Sequence, residues 1–240
     1  EGAPATLHTA RMQHCFCFEG EFEFAFGPEQ NVHIRLTRHD LVSVPVNVLY
    51  SLRNSGGTPA RLVVITQIDA HAVDSTAEAP GERGNDITQP DIEARVSRAA
   101  SRVPYQRSLD AKDGVPAEVM KYMAASRVYP IVVAPGLKGR NQNAPLKGLP
   151  GGSVSLAECD PGDGPQPHAH IDTREIFLCI EGRFDIVWGD RSEHKLTLDP
   201  LDMVAVPPTA MRIFKNVTGQ IGRLMVIIHG PAYMTDSITS

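Results

Sequence analysis

The pattern of apolar residues along the chain predicts short β-strands. The segments "HCFCFEGEFEF" (14–24), "EIFLCIEGRFDIVWG" (175–189) and "RLMVIIHG" (223–230) are rich in aromatic and β-branched residues and are bounded by Gly or Pro. Glycines inside such a run, at Gly20 and Gly182, fit tight turns between two strands. Many short strands closed by turns predict an all-β protein built as a sandwich or barrel.

The strand pattern occurs twice. When the sequence is shifted against itself by 162 residues, sixteen of the 53 positions from Gln13 to Ile65 meet an identical residue without any gap. In the aligned copies, "CFEG" (17–20) lies over "CIEG" (179–182). Further along, "VPV" (44–46) lies over "VPP" (206–208) at the same distance in both copies. An internal repeat of this length indicates two copies of one structural unit.

The region between the copies has a different character. Residues 70–91 are polar and rich in Gly and Pro, which predicts a mobile linker. The segments "PDIEARVSRAAS" (90–101) and "GVPAEVMKYMAAS" (114–126) have helical spacing, with a proline near each start. We therefore predict an N-terminal barrel at 1–70, a linker with short helices at 71–127 and a C-terminal barrel at 128–232.

The first copy is shorter than the second at its start. About 35 residues of strand-like sequence precede the second copy, whereas Glu1 already corresponds to Asp163. The first strands of the first barrel are missing, borrowed from elsewhere in the chain, or supplied by another subunit. A barrel short of strands exposes edges that invite pairing with another chain, so we expect a homodimer.

Composition narrows the functional class. The chain has 42% hydrophobic residues, a net charge of -5 and no basic tract, which argues against nucleic acid or an anionic membrane as a partner. No apolar run approaches the roughly 20 residues that span a bilayer, and the first ten residues do not resemble a signal peptide. The four cysteines form no C-x-x-C pair and are expected to be buried thiols of a cytoplasmic protein.

One stretch of the second copy suggests metal chemistry. In "PHAHIDTREIFLCIEG" (167–182), His168 and His170 are two residues apart and project to the same side of a strand. Glu175 on the next strand can complete the set. Two imidazoles and one carboxylate are typical of non-haem Fe(II) oxygenases, and they also hold Zn²⁺, Mn²⁺, Co²⁺ or Ni²⁺.

These residues resemble the cupins. "PHAHIDTREIFLCIEG" looks like the first cupin motif, and "DPLDMVAVPPTAMRIFKN" (199–216) is similar to the second. With the duplication, residues 5–67 and about 128–230 resemble a bicupin, which implies two tandem double-stranded β-helix (cupin or jelly-roll) barrels. The resemblance implies metal ligands at His168, His170 and Glu175.

The second motif departs from the family pattern. Thr209 stands where the family has glycine, and Arg212 stands at the fourth ligand. A guanidinium has no lone pair to give a metal. Two arrangements remain open: a metal held by three ligands with Arg212 gripping an anionic substrate, or a metal-free site in which Arg212 pairs with Glu175.

The first copy has lost this set of residues. The same shift places Thr6, His8, Gln13 and Tyr50 at the positions of His168, His170, Glu175 and Arg212. Only His8 is a good ligand, so we expect a non-catalytic first barrel.

The functional hypothesis is a metal-dependent enzyme acting on a small organic anion, with Arg212 and Glu175 as catalytic residues. A non-haem Fe(II) dioxygenase is favoured. The alternatives are a metal-dependent isomerase, lyase or hydrolase, and a non-catalytic bicupin that binds a small molecule.

Overall fold

The structure, a computed structural model, describes residues 3–6, 11–68, 87–106, 125–135, 144–230 and 238–239. The chain divides into two compact units, Glu1–Arg102 and Val103–Ser240. Both units consist of strands arranged in sheets, which confirms the all-β prediction. Within the described residues, no helix has the length and apolar character that crossing a membrane requires.

The first unit contains two four-stranded sheets, in the orders β1-β6-β3-β4 and β7-β2-β5-β8. Its strands are β1 Ala3–Thr6, β2 Arg11–Glu19, β3 Phe22–Phe26, β4 Val32–Leu36, β5 Leu41–Val44, β6 Tyr50–Asn54, β7 Arg61–Ile68 and β8 Val96–Ser97. Strands β2 and β3 occupy the segment that the alternation of "HCFCFEGEFEF" predicted.

The second unit has a larger sheet in the order β11-β10-β12-β19-β14-β17, a three-stranded sheet β16-β15-β18, and the pair β13-β20. Strand β9 pairs with β10. The strands are β9 Tyr105–Gln106, β10 Arg127–Val133, β11 Leu146–Lys147, β12 Gly152–Cys159, β13 Ala169–His170, β14 Arg174–Glu181, β15 Phe184–Trp188, β16 His194–Leu198, β17 Met203–Val206, β18 Arg212–Asn216, β19 Gly222–His229 and β20 Ile238–Thr239.

The duplication is also present in the strand registers. Phe22 of β3 lies opposite Leu36 of β4, and Phe184 of β15 lies opposite Leu198 of β16, which is the same pair displaced by 162 residues. Residues with positive φ recur at the same offset. These are Gly20 and Gly182, Gly27 and Gly189, Gln30 and Ser192, His39 and Leu201, and Asn47 and Thr209.

The glycines inside the strand runs form the predicted turns. Gly20 lies between β2 and β3 at φ +80, and Gly182 lies between β14 and β15 at φ +83. A Cβ at Gly20 would lie 2.5 Å from the Cβ of Ala60. Both the left-handed backbone and this close approach require glycine.

The core of the second unit is formed by side chains from its two main sheets. Phe177 and Cys179 of β14 pack with Phe184 of β15 and Phe214 of β18. The rings of Phe177 and Phe214 are 5.1 Å apart in an edge-on arrangement, which favours aromatic contact. Phe177, Cys179 and Phe214 are all buried.

The predicted helix at 90–101 forms over a single turn only. Helix α1 spans Gln89–Glu93 and begins with a capping box between Thr88 and Asp91. The chain then turns into β8, which pairs with β5. The prediction was wrong at Val96–Ser97, where sheet pairing overrides the local helical spacing, and the chain is helical again only in a short 3₁₀ turn at Ala99–Ser101. Of the other linker predictions, residues 70–86 and 114–124 lie outside the described residues.

One strand from the predicted linker therefore joins the first unit. β8 lies beside β5, at the edge of the sheet opposite β7. In the second unit the counterpart of β7, β19, pairs with β12. Among the described strands of the first unit, β7 has β2 as its partner and no equivalent of β12. Strand β8 thus lies at the opposite edge of its sheet from the position that β12 takes beside β19 in the second unit.

Candidate metal centre

Three short elements of the second unit bring the candidate ligands together. His168 and Arg212 form an isolated antiparallel bridge, with the His168 amide donating to the Arg212 carbonyl at 3.2 Å and the Arg212 amide donating to the His168 carbonyl at 3.0 Å. His170 ends β13, and Glu175 lies at the start of β14. The alternation of a strand thus directs both histidines to the side on which Glu175 lies.

The ligand atoms lie close to one another. His168, His170 and Glu175 each offer one atom, and these atoms are all within 4.8 Å of one another. Three atoms at that spacing have a common point at about 2.8 Å or less from each (4.8 divided by √3). Zinc ligands lie at roughly 2.0–2.2 Å, so a contraction of at most about 0.7 Å per ligand would complete a site. All three residues are buried.

Hydrogen bonds orient the two imidazoles. His168 Nδ1 is 2.8 Å from the carbonyl oxygen of Gln166, which only accepts, so Nδ1 carries the proton and Nε2 has a free lone pair. His170 Nδ1 is 3.0 Å from Thr173 Oγ1. Such contacts on the far nitrogen are typical of metal-binding histidines. Sequence reasoning missed Gln166, because its backbone carbonyl and not its side chain is the acceptor.

The electrostatics of the cluster favour a neutral imidazole beside an ionised acid. Burial, and then the charge of Arg212, lower the pKa of His168 to about 4. Burial alone would raise the pKa of Glu175, but the charge of Arg212 and the two histidines outweigh it and lower that pKa. Neutral histidine and carboxylate are the forms that bind a metal ion.

Arg212 contacts Glu175 directly. Its Nε donates to Glu175 Oε2 at 2.8 Å, its Nη2 donates to the same oxygen, and its Nη1 donates to the His168 carbonyl at 3.0 Å. The side chains of Arg212 and Glu175 are 2% and 7% exposed. Of the two arrangements that the sequence left open, the direct pairing is present, and Arg212 does not line the neighbouring cavity. Both contacts that Arg212 makes to this carboxylate use Oε2, and neither uses Oε1.

A cavity of about 40 Å³ adjoins the cluster. His170 and Glu175 are on its wall, and most of the rest is apolar: Ala125, Val128, Pro130, Val132, Val154, Ala157, Phe214, Val226 and Ile228, with Ser153 and Ser155. One water molecule needs about 10–15 Å³ by the same measure. The cavity therefore suits a ligand of a few non-hydrogen atoms.

The corresponding position of the first unit has different chemistry. Tyr50 Oη donates to Gln13 Oε1, so this contact takes the place of the Arg212–Glu175 contact. Thr6 contributes backbone pairing with Tyr50 in β1 and β6, and His8 lies outside the described residues. Among the described residues, the cluster of His168, His170 and Glu175 is the one group with metal-binding geometry.

The prediction of buried thiols is confirmed for all four cysteines, none of which forms a disulfide. Burial, followed by the charges of Asp199 and Asp202, raises the pKa of Cys179 to about 12. A thiol with that pKa stays protonated at neutral pH and is a poor nucleophile.

Comparison of the structure with solved structures identifies the fold. The oxalate decarboxylase of Lactobacillus farciminis, in a formate complex, is 12% identical with a TM-score of 0.61, and the match covers 98% of this chain and 74% of that one. Salicylate 1,2-dioxygenase of Pseudoaminobacter salicylatoxidans is 15% identical with a TM-score of 0.57, covering 95% and 68%. A cupin 2 conserved barrel domain protein of Leptotrichia buccalis is 11% identical with a TM-score of 0.53, covering 95% and 78%.

These likenesses confirm the cupin resemblance at the level of the fold. The chain has a cupin fold with two barrel units. No protein-family model matches the sequence, and no curated protein is a significant match.

Proposed function

We propose that the second unit of this cupin-fold protein binds one divalent transition metal ion and acts on a small organic anion. The observation that carries the proposal is the buried convergence of His168, His170 and Glu175, whose ligand atoms lie within 4.8 Å of one another. The lowered pKa values of His168 and Glu175 support it, since both residues are in the protonation state that binds a metal.

Iron(II) is the favoured ion, because two histidines and one carboxylate leave coordination positions for a substrate and for oxygen. An ion bound here would supply Lewis acidity and, for iron, the capacity to activate O₂. Oxidative cleavage of a small carboxylic acid is therefore the favoured reaction. Manganese, zinc, nickel and cobalt, with isomerase, lyase or hydrolase chemistry, are the alternatives within the same class.

The residues of this chain would have distinct roles. His168 and His170 would hold the ion through the nitrogens opposite their hydrogen-bonded Nδ1 atoms. Arg212 would act as a positioning residue, because its two contacts to Glu175 Oε2 keep the carboxylate ionised and fix its orientation. Phe214 and Val226 on the cavity wall would provide apolar contact for a small ligand beside the ion.

A second candidate function is favoured by the Arg212–Glu175 pair itself. A buried guanidinium bonded to the carboxylate satisfies that acid without a metal ion. On this alternative the second unit is a non-catalytic bicupin barrel whose cavity takes a small neutral molecule.

Metal analysis separates the two candidates. Protein purified without chelator, in a buffer that contains acetate, is expected to carry about one equivalent of transition metal, and His168→Ala is expected to remove it. The iron(II)-loaded protein is then tested for O₂ uptake with a panel of small carboxylic acids. Metal-free native protein that takes up none of Fe²⁺, Mn²⁺ or Zn²⁺ with acetate present would contradict the proposal in favour of the second candidate. A homodimer and a cytoplasmic location remain predictions, and light scattering tests the first of them.

A further inference from the structure

We propose that the metal centre of the second unit binds its ion cooperatively with a small carboxylate anion, and that the charge of Arg212 imposes this dependence. The inference rests on the proposed function, because it concerns the same metal ion. It goes further in naming a second ligand class and the residue that requires it.

The first observation is the charge of the buried cluster. Glu175 and Arg212 cancel each other, and the histidines must be neutral in order to bind a metal. A divalent ion placed among them therefore leaves two uncompensated positive charges. His168, His170, Glu175 and Arg212 are at most 9% exposed, so water does little to offset this charge.

The second observation is the shared use of the carboxylate. Both Nε and Nη2 of Arg212 donate to Glu175 Oε2, while Nη1 is bound to the His168 carbonyl. The guanidinium is thus fixed in place by three contacts and is not free to move away from an arriving cation. Glu175 is left with Oε1 for the ion, so its single negative charge is divided between two cations.

The third observation is the composition of the cavity beside the cluster. Its volume of about 40 Å³ admits a few non-hydrogen atoms, and Glu175 is the one acid among the described residues that line it. Among those described residues, the wall therefore offers no counter-charge besides Glu175. An anion from solution can take that role, with its carboxylate at the ion and a short aliphatic end against Val154, Val226 and Ile228.

The size of the cavity selects the anion. Formate and acetate have few enough atoms to enter it, whereas the ring of benzoate exceeds its volume. Binding of the ion and binding of the anion are then coupled. By thermodynamic linkage each ligand must raise the affinity for the other by the same factor.

The test is calorimetric titration of the wild-type protein with Mn²⁺, in perchlorate as a weakly coordinating background salt, with acetate absent or present. We expect acetate to lower the Kd for Mn²⁺ by a factor of about 10 or more, within the usual range of such coupling. Benzoate is expected to change it by less than twofold. The reverse titration, acetate into protein with and without Mn²⁺, must give the same factor.

Variants at Arg212 assign the cause. In Arg212→Gln, which removes the charge, Mn²⁺ is expected to bind without acetate and the acetate effect is expected to fall below about twofold. Arg212→Lys retains a positive charge and is expected to retain the dependence. The fluorescence of Trp188 checks that each variant is folded, and should Arg212→Gln fail to fold, the wild-type titrations and Arg212→Lys still decide.

The outcomes are distinct. Tight Mn²⁺ binding that is equal with and without acetate in the wild type would overturn the inference and leave the proposed function in place. An acetate effect that survives unchanged in Arg212→Gln would also overturn it. If neither the wild type nor Arg212→Gln binds Mn²⁺ under any condition, the proposed metal centre fails together with the inference.

Discussion

The buried pair formed by Arg212 and Glu175 leads to a quantitative prediction about stability. The two side chains are 2% and 7% exposed, and they are joined by two donors on one oxygen. Breaking a buried pair by removing one partner costs about 3–5 kcal/mol, because the other charge remains buried without compensation. Replacing both partners with apolar residues of similar volume is often neutral.

The perturbation is a double-mutant cycle of Glu175→Leu and Arg212→Met. Glu175→Leu is expected to cost about 3–5 kcal/mol, since a guanidinium cannot lose its proton. Arg212→Met is expected to cost about 2–3 kcal/mol, because the stranded acid can take up a proton. The double variant should cost about 1 kcal/mol or less, which gives a coupling energy of at least about 4 kcal/mol.

The assay is urea unfolding in EDTA, followed by tryptophan fluorescence. Trp188 is the single tryptophan of the chain and lies in β15, so its signal reports on the second unit. With a slope of about 2–3 kcal/mol per molar urea, the Glu175→Leu midpoint should fall by about 1–2.5 M.

The matched control is the exposed pair of Arg183 and Asp199 in the same unit, whose side chains are each 55% exposed. Its cycle should give about 0.5 kcal/mol or less. Single changes at Glu175 and Arg212 that are mild and simply additive would refute the conclusion that this pair is buried and coupled.

Three further predictions concern the backbone and the first unit. Thr209 has φ +66, and its counterpart in the first unit, Asn47, has φ +59. Asparagine tolerates this left-handed region better than a β-branched residue does. Thr209→Asn is therefore expected to raise the free energy of unfolding, measured by urea titration, by about 1 kcal/mol. Gly20→Ala is expected to lower it by at least about 2 kcal/mol, because the new Cβ would lie 2.5 Å from the Ala60 Cβ at a positive φ. Burial lowers the pKa of His14, and this effect outweighs the raising effect of its hydrogen bond to Gln67. As the pH falls, the unfolded state therefore takes up a proton before the folded state does. The stability of the first unit should fall as the pH drops below about 6.5.

Each of these predictions has a matched control. Ala210→Gly, next to Thr209 but without a positive φ, should destabilise the protein. Gly57→Ala, where nothing lies within 4 Å of the new Cβ, should be nearly neutral. His14→Gln should flatten the loss of stability between pH 7 and pH 5, and an unchanged pH profile in that variant would assign the loss to other groups. A Thr209→Asn protein that is less stable than the wild type would show that the left-handed residue is not strained.

The sequence by itself determined the strands, the repeat and the set of candidate ligands. Strand alternation is a local property with a period of two residues, so "HCFCFEGEFEF" and "EIFLCIEGRFDIVWG" predicted β2, β3, β14 and β15. The 162-residue shift predicted the repeated registers, and the spacing of His168 and His170 placed both on one side of a strand.

The tertiary structure decided what the spacing left open. Whether Arg212 faces an anion or Glu175 depends on how β18 lies beside His168 and β14, and no local pattern encodes that distance. The helical spacing after Gln89 gave way to β8 because pairing with β5 outweighs a weak local preference. The volume of the cavity likewise depends on side chains from six strands between β10 and β19, and it exists only when those strands are assembled.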